Sequence, residues 1–180
     1  MRVTIELDQA DIERFVSTLE RSRELARTMD EVDVIDAAKQ TLDTRPLGSA
    51  PEYVRKRLVG VQRFILMLED DAWALPNPER REVLTALVYF SDPEDLIPDD
   101  VEVIGQFDDA VVLELVLRRL RHVLKAYDEF CVYREQLEDD DSSPQARLHR
   151  AGFLARRRDS LRVRVQRQTQ RKLGTSRRVT

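Results

Sequence analysis

The chain has few of the residues that mark secreted, membrane or fibrous proteins. Its 180 residues include one cysteine and five glycines, and aromatic side chains make up only 6%. The single cysteine, Cys131, cannot form an internal disulfide, and we expect it to be a small buried hydrophobic side chain. The longest apolar runs, such as ALVYF, fall far below the roughly 18–20 residues that a membrane-spanning helix needs, and no basic-then-apolar leader begins the chain. These absences predict a cytoplasmic protein without a spanning segment.

Charge is abundant, and it is divided unequally along the chain. Charged residues make up 36% of the sequence and the net charge is -4. Residues 142–180 hold twelve Arg or Lys and one acid, Asp159, so this basic tail carries +11 and leaves -15 on residues 1–141. The string LEDDDSSP separates the two parts. We therefore predict a body of residues 1–141 and a basic C-terminal helical tail of residues 142–180 whose end is disordered.

Apolar residues recur with helical spacing through most of the chain. Each predicted helix of the body follows a good capping residue, namely Asp8, Asp30, Ser49, Asn77 and Asp108. Residues 2–7, RVTIEL, alternate instead and predict a short strand. The sequence therefore predicts an all-α protein, a helical bundle of five to six helices with a short N-terminal strand and a basic C-terminal helical tail.

Two of the predicted helices have an apolar face that we expect in the core. The face of the first helix comprises Phe15, Val16, Leu19 and Leu25. The face of the third forms a continuous stripe of Val54, Leu58, Val61, Ile65 and Leu68. Faces of this width bury against neighbouring helices.

Residues 84–130 comprise two apolar helical segments joined by a loop that carries a dense motif. The first of these segments ends in Tyr89 and Phe90. The defined positions of the motif are Pro93, Asp95, Leu96, Ile97, Pro98, Asp99, Gly105, Asp108 and Asp109. This pattern resembles the YkvA-type family, also called DUF1232. The family has no established biochemical activity, so the resemblance implies a helical fold and a bacterial origin rather than a reaction. Glu94 stands where members often carry an apolar residue, which weakens the case for membrane association.

The acidic stretch of residues 92–109, here called the signature loop, is one candidate site. Carboxylates gathered on one loop suit Mg²⁺ or Ca²⁺, and the candidate ligands are Asp95, Asp99, Asp108 and Asp109. The alternative is structural, because Asp at loop and cap positions in a segment with Pro93, Pro98 and Gly105 is ordinary turn and cap chemistry. No nucleophile, zinc-ligand spacing or Gly-rich phosphate loop accompanies it, so we assign no catalytic residue.

The basic tail is the other candidate site, and its anion-binding candidates are Arg156, Arg157, Arg158, Arg162, Arg164 and Arg167. Three interpretations remain open. Clustered arginines are typical of non-specific nucleic-acid binding. A second interpretation is that the tail docks on the acidic body of its own chain, or on that of a second subunit to give a homodimer. The third is that the tail is a solvated helix that contributes solubility.

The sequence thus favours a non-enzymatic, cytoplasmic interaction or scaffold protein. One alternative is a divalent-metal-binding protein or metal-dependent enzyme centred on the signature loop. The other is a nucleic-acid-binding protein that acts through the basic tail.

Overall fold

The computed structural model describes residues 9–44, 52–92, 107–139 and 144–176, and six helices make up most of them. The helices are α1 (Gln9–Thr28), α2 (Glu31–Thr44), α3 (Glu52–Glu69), α4 (Asn77–Phe90), α5 (Phe107–Asp139) and α6 (Pro144–Ser176). These ranges contain no strand, and the predicted all-α class and helical bundle are confirmed. The strand predicted over residues 2–7 lies outside the described residues and stays a prediction.

The chain divides into two compact units, and each is described by itself. The first unit comprises Met1–Ile65 and Pro76–Leu117, and the second comprises Leu66–Leu75 and Arg118–Thr180. The second unit thus contains the basic tail together with the turn after α3 and most of α5. The predicted boundary between residues 141 and 142 falls outside the described residues and stays a prediction.

Helix α4 is the central helix of the first unit, since both α1 and α2 pack against it. Its buried residues are Val83, Leu84, Ala86, Leu87, Val88, Tyr89 and Phe90. A helix that is apolar on nearly all sides needs neighbours on nearly all sides. Pro76, in extended conformation, precedes the first turn, and the backbone N–H of Ser91 donates back to the helix carbonyls at its end. The predicted helix start at Asn77 and end near Ser91 are confirmed.

Helix α1 buries less of its apolar face than the sequence predicts. The side chains of Val16 and Leu25 are 47% and 38% exposed, so their predicted core positions are wrong. Ser22 is fully buried instead. Its hydroxyl donates to the carbonyl oxygen of Thr18 at 2.9 Å, and a hydroxyl that is satisfied within its own helix enters a core at little cost. An apolar pattern alone does not reveal such a position.

The third helix agrees with four positions of its predicted core stripe, because Leu58, Val61, Ile65 and Leu68 are all buried. The side chain of the fifth, Val54, lies outside the described part of the chain. Gly60 lies on α3 where that helix passes close to α5. A Cβ atom at this position would lie 2.8 Å from Cδ1 of Leu117. The missing side chain therefore allows the two helices to approach within the first unit.

Candidate interaction surface

A turn after α3 forms the centre of the second unit. Asp70 follows the last residue of α3, and its Oδ1 accepts a hydrogen bond from the backbone N–H of Trp73 at 3.0 Å. The backbone N–H of Ala74 donates to the carbonyl oxygen of Asp70 at 2.8 Å. An aspartate that bonds to backbone amides in this way fixes a turn. The turn buries Trp73, whose ring centroid lies 5.6 Å from that of Tyr127 and 5.3 Å from that of Phe130.

The second carboxylate oxygen of Asp70 joins the turn to α5. Oδ2 accepts from Nη1 of Arg134 at 2.7 Å and lies 3.2 Å from the Tyr127 hydroxyl oxygen. The hydroxyl of Tyr127 also lies 3.2 Å from the carbonyl oxygen of Leu66. The Asp70 side chain is only 7% exposed. A carboxylate at that depth is stable only when it is paired and hydrogen-bonded, and Asp70 meets both conditions.

Two ionisable side chains beside this cluster are held in their neutral forms. Burial raises the pKa of the Tyr127 hydroxyl, and the neighbouring Cys131 and Asp70 raise it further. Burial also raises the pKa of the Cys131 thiol, against a smaller opposing effect of Tyr127 and Arg134. Cys131 is half-buried rather than fully buried as predicted. At neutral pH both groups keep their protons.

The basic helix α6 has a buried apolar stripe. Leu154, Leu161 and Val165 are each at most 8% exposed, and their spacing places them on one side of the helix. Burying a side chain of this size is worth roughly 1.5–3 kcal/mol. Apolar burial therefore contributes more to holding α6 than any one of its exposed ion pairs.

Two arginines of α6 bind the backbone of the turn after α3. The guanidinium of Arg162 donates from Nη2 to the carbonyl oxygens of Trp73 and Ala74, and its Cζ lies 5.7 Å from the centroid of the Trp73 ring system. Nη1 of Arg158 donates to the carbonyl oxygen of Ala72 at 3.4 Å. Ala74 has a φ of 46°, in the left-handed region that disfavours residues other than glycine. Arg162 thus bonds the carbonyl groups around the one strained residue of the turn.

Further arginines of α6 pair with acids of α5. Nη2 of Arg164 lies 2.8 Å from Oε2 of Glu129, and Nη2 of Arg157 lies 3.8 Å from the same atom. Arg150, which is nearer the start of α6, pairs with Glu138. Four of the six predicted anion-binding arginines therefore already contact carboxylates or carbonyl groups of the second unit: Arg157, Arg158, Arg162 and Arg164.

The other two predicted arginines, Arg156 and Arg167, face away from these contacts and are exposed. They share one side of α6 with two exposed apolar residues, Phe153 and Val163, which are 38% and 45% exposed. The Cζ of Arg156 lies 4.9 Å from the centroid of the Phe153 ring. We call these four residues the outer face of α6. The outer face combines an aromatic ring, an aliphatic side chain and two arginines, a composition typical of binding surfaces.

Most of the signature loop lies outside the described residues. Pro93, Asp95, Pro98, Asp99 and Gly105 lie outside the described residues. Asp108 and Asp109 belong to the first turn of α5, but their side chains also lie outside the described part. Among the described residues, no group of three or more His, Cys, Asp or Glu side chains could hold a metal ion. Metal binding at Asp95, Asp99, Asp108 and Asp109 stays a prediction.

These observations define the class of protein as an all-helical bundle with an aspartate-centred turn and a docked basic helix. The family model described as "Protein of unknown function (DUF1232)" matches residues 80–115, which run from α4 into α5. This match confirms the resemblance to DUF1232 found in the sequence, over that segment of the chain. Comparisons with curated proteins and with solved structures gave no match. No helix in the described part of the chain has the length and apolar character needed to cross a membrane.

Proposed function

We propose that the chain is a non-enzymatic, cytoplasmic interaction or scaffold protein that binds an acidic protein surface through the outer face of α6. One observation supports this proposal most strongly. The arginines of α6 divide by face, so that the inner ones bind the second unit and Arg156 and Arg167 remain exposed beside Phe153 and Val163. An exposed face that combines aromatic and arginine side chains is more typical of a binding surface than of a helix that only contributes solubility.

The chain itself provides a suitable partner surface. Residues 1–141 carry a net charge of -15, so a second copy offers many carboxylates to the outer face. The inner arginines illustrate the same chemistry within one chain, since Arg164 pairs with Glu129 and Arg150 with Glu138. We therefore propose the acidic body of a second copy as the partner, giving a homodimer, while the inner face of α6 binds the body of its own chain.

The chemistry of the second unit supports a non-enzymatic role. Tyr127 and Cys131 hold their protons because their pKa values are raised. Asp70 is occupied by Arg134, Tyr127 and the amide of Trp73. A general base or nucleophile needs the opposite arrangement, with a proton ready to leave or a lone pair ready to accept.

Light scattering after gel filtration, in about 50 mM and about 1 M salt, tests this proposal on the full chain. We expect a dimer at low salt that dissociates as salt increases. The double substitution Arg156→Gln and Arg167→Gln should raise the dimer Kd about five- to tenfold, as expected for two exposed charge pairs. The matched control, Arg23→Gln with Arg55→Gln, removes the same charge from exposed positions on α1 and α3 and should leave the Kd unchanged.

Two results would overturn the proposal. One is a monomer at every concentration and salt. The other is binding of random-sequence single-stranded DNA or RNA that falls steeply with salt and is lost in the Arg156→Gln and Arg167→Gln variant. In that case Phe153 and the two arginines would bind nucleic acid by stacking and phosphate contact.

A further inference from the structure

The first unit contains a cleft that the basic helix does not contribute to. Its volume is about 420 Å³, and it is lined by the end of α1, the start of α2 and the first two turns of α4. Binding sites for small molecules typically have volumes of about 300–1,000 Å³. The cleft is therefore large enough for a small ligand.

Three arginines line this cleft: Arg27, Arg80 and Arg81. The only carboxylate among the lining residues is that of Glu31, which binds Arg80 through both of its oxygens, with Nε donating to Oε2 at 2.8 Å. Arg81 is exposed and forms no ion pair with any of the described residues. The lining therefore carries two more positive charges than negative ones.

The charge of Arg27 is compensated only weakly. Its partner is Glu24, at 2.5 Å, and both side chains are more than half exposed. Exposed pairs of this kind contribute little stability, so an anion in the cleft competes for Arg27 at low cost. Asn77 is the first residue of α4, and the positive end of that helix adds to the same field.

The rest of the lining is apolar. Leu84, in the middle of α4, is buried, whereas Met29 is 41% exposed and Ala26 is half-buried. A ligand that filled this space would cover an apolar side chain as well as reach the guanidinium groups. The cleft thus combines a small apolar surface with a cationic rim.

We propose that this cleft binds a small amphipathic oxyanion, in which a phosphate or carboxylate group contacts Arg81 and Arg27 and an apolar group covers Met29 and Leu84. The planar guanidinium donates two parallel hydrogen bonds to such an oxyanion. This ligand differs from the acidic protein proposed for α6 and binds a different unit. The two proposals therefore fail independently.

Amide chemical shifts of the full chain test the proposal, with phenyl phosphate, inorganic phosphate and phenol as probes. We expect phenyl phosphate to shift the amides of residues 26–31 and 77–84 and to bind more tightly than inorganic phosphate. Phenol, which lacks the charge, should leave them unchanged. Arg81→Gln, at an exposed position, should weaken phenyl phosphate binding about tenfold, as expected for one charge-assisted hydrogen bond. Arg55→Gln on α3 removes the same charge outside the cleft and should have no effect.

A second pair of variants tests whether the affinity for phenyl phosphate can be increased. Glu31→Gln removes the carboxylate that occupies Arg80 and should tighten phenyl phosphate binding severalfold. Asp36→Asn removes a charge from an exposed position on the same helix and should not. Equal binding of phenol and phenyl phosphate would overturn the proposal. So would phenyl phosphate shifts at the α6 arginines of the same size, or unchanged affinity in Arg81→Gln.

Discussion

The guanidinium of Arg134 donates a 2.7 Å hydrogen bond to the nearly buried carboxylate of Asp70, and this contact joins α5 to the turn after α3. The pair gives the second unit a fixed polar centre. Around it the Trp73 ring packs on Tyr127 and Phe130, and α6 binds the carbonyl groups of the same turn.

Arg134→Gln should destabilise the protein by about 2–3 kcal/mol, because it leaves the Asp70 carboxylate buried without its charge partner. The cost is below that of a fully buried pair, since the Arg134 side chain is 31% exposed. Urea unfolding measures the change in the free energy of unfolding. Arg134→Lys keeps the charge and should cost less, and adding Asp70→Asn should recover part of the loss. A parent-like urea midpoint for Arg134→Gln would contradict the structural role of the pair.

Arg162→Ala should cost more stability than Arg164→Ala, although the two residues lie on the same helix and carry the same charge. Arg162 donates to two backbone carbonyl groups and lies over the Trp73 ring, so we expect a loss of about 2 kcal/mol. Arg164 pairs with Glu129 in a partly exposed position, so we expect a loss below about 1 kcal/mol. Thermal or urea unfolding of both variants gives the ranking. Equal losses would mean that the charge of each arginine, rather than the contact of Arg162 with the backbone, determines its contribution to stability.

Ala74→Gly should stabilise the protein by about 0.5–1 kcal/mol. Ala74 has a φ of 46°, which costs an alanine more than a glycine, and its side chain is exposed, so little packing is lost. Ala72→Gly serves as the control in the same turn, because its φ is not positive and the substitution only adds freedom to the unfolded chain. Unfolding midpoints that move down for Ala74→Gly and Ala72→Gly alike would contradict the prediction.

The stability of the protein should fall as the pH rises above about 9. Burial raises the pKa of Cys131 above its ordinary value of 9.0, and the pKa of Tyr127 is also raised. Between the ordinary and the raised pKa of each group, the unfolded chain has lost a proton that the folded chain keeps, so rising pH favours unfolding. Below the ordinary pKa values both groups are protonated in the folded and in the unfolded chain, so the folded protein keeps its full stability there.

Cys131→Ala should therefore flatten the dependence of the unfolding free energy on pH between about pH 8.5 and pH 10. Urea midpoints of parent and variant across this range measure it. The variant should be less stable than the parent at pH 7 because it loses a half-buried side chain, so the slope rather than the absolute value is compared. Identical slopes would show that the thiol of Cys131 is not perturbed in the folded protein.

Apolar periodicity was enough to predict most of the fold. The described positions of the α3 stripe, the start and end of α4 and the helical state of the basic tail over residues 144–176 all agree with the structure. These features depend on local spacing and on proline positions, which one sequence displays directly. Helix α1 shows the limit of this reasoning, because Val16 and Leu25 have the right spacing but are 47% and 38% exposed.

The centre of the second unit could not be predicted in the same way. Asp70 and Arg134 are 64 positions apart, and no local pattern connects them. A partial signal exists, since an aspartate directly after a helix is typical of a turn. The division of the tail arginines was also hidden, because all six count equally as charges until the buried side of α6 is known.

The proposed role of α6 requires that apolar burial holds the helix and leaves its outer face exposed. Amide hydrogen exchange of the full chain over residues 149–170, at about 50 mM and about 1 M salt, tests this most directly, because about 1 M salt reduces the screening length to about 3 Å. We predict slow exchange at both salt concentrations, since Leu154, Leu161 and Val165 stay buried when the ion pairs are screened. Protection that disappears in 1 M salt, or is absent at both concentrations, would contradict the account.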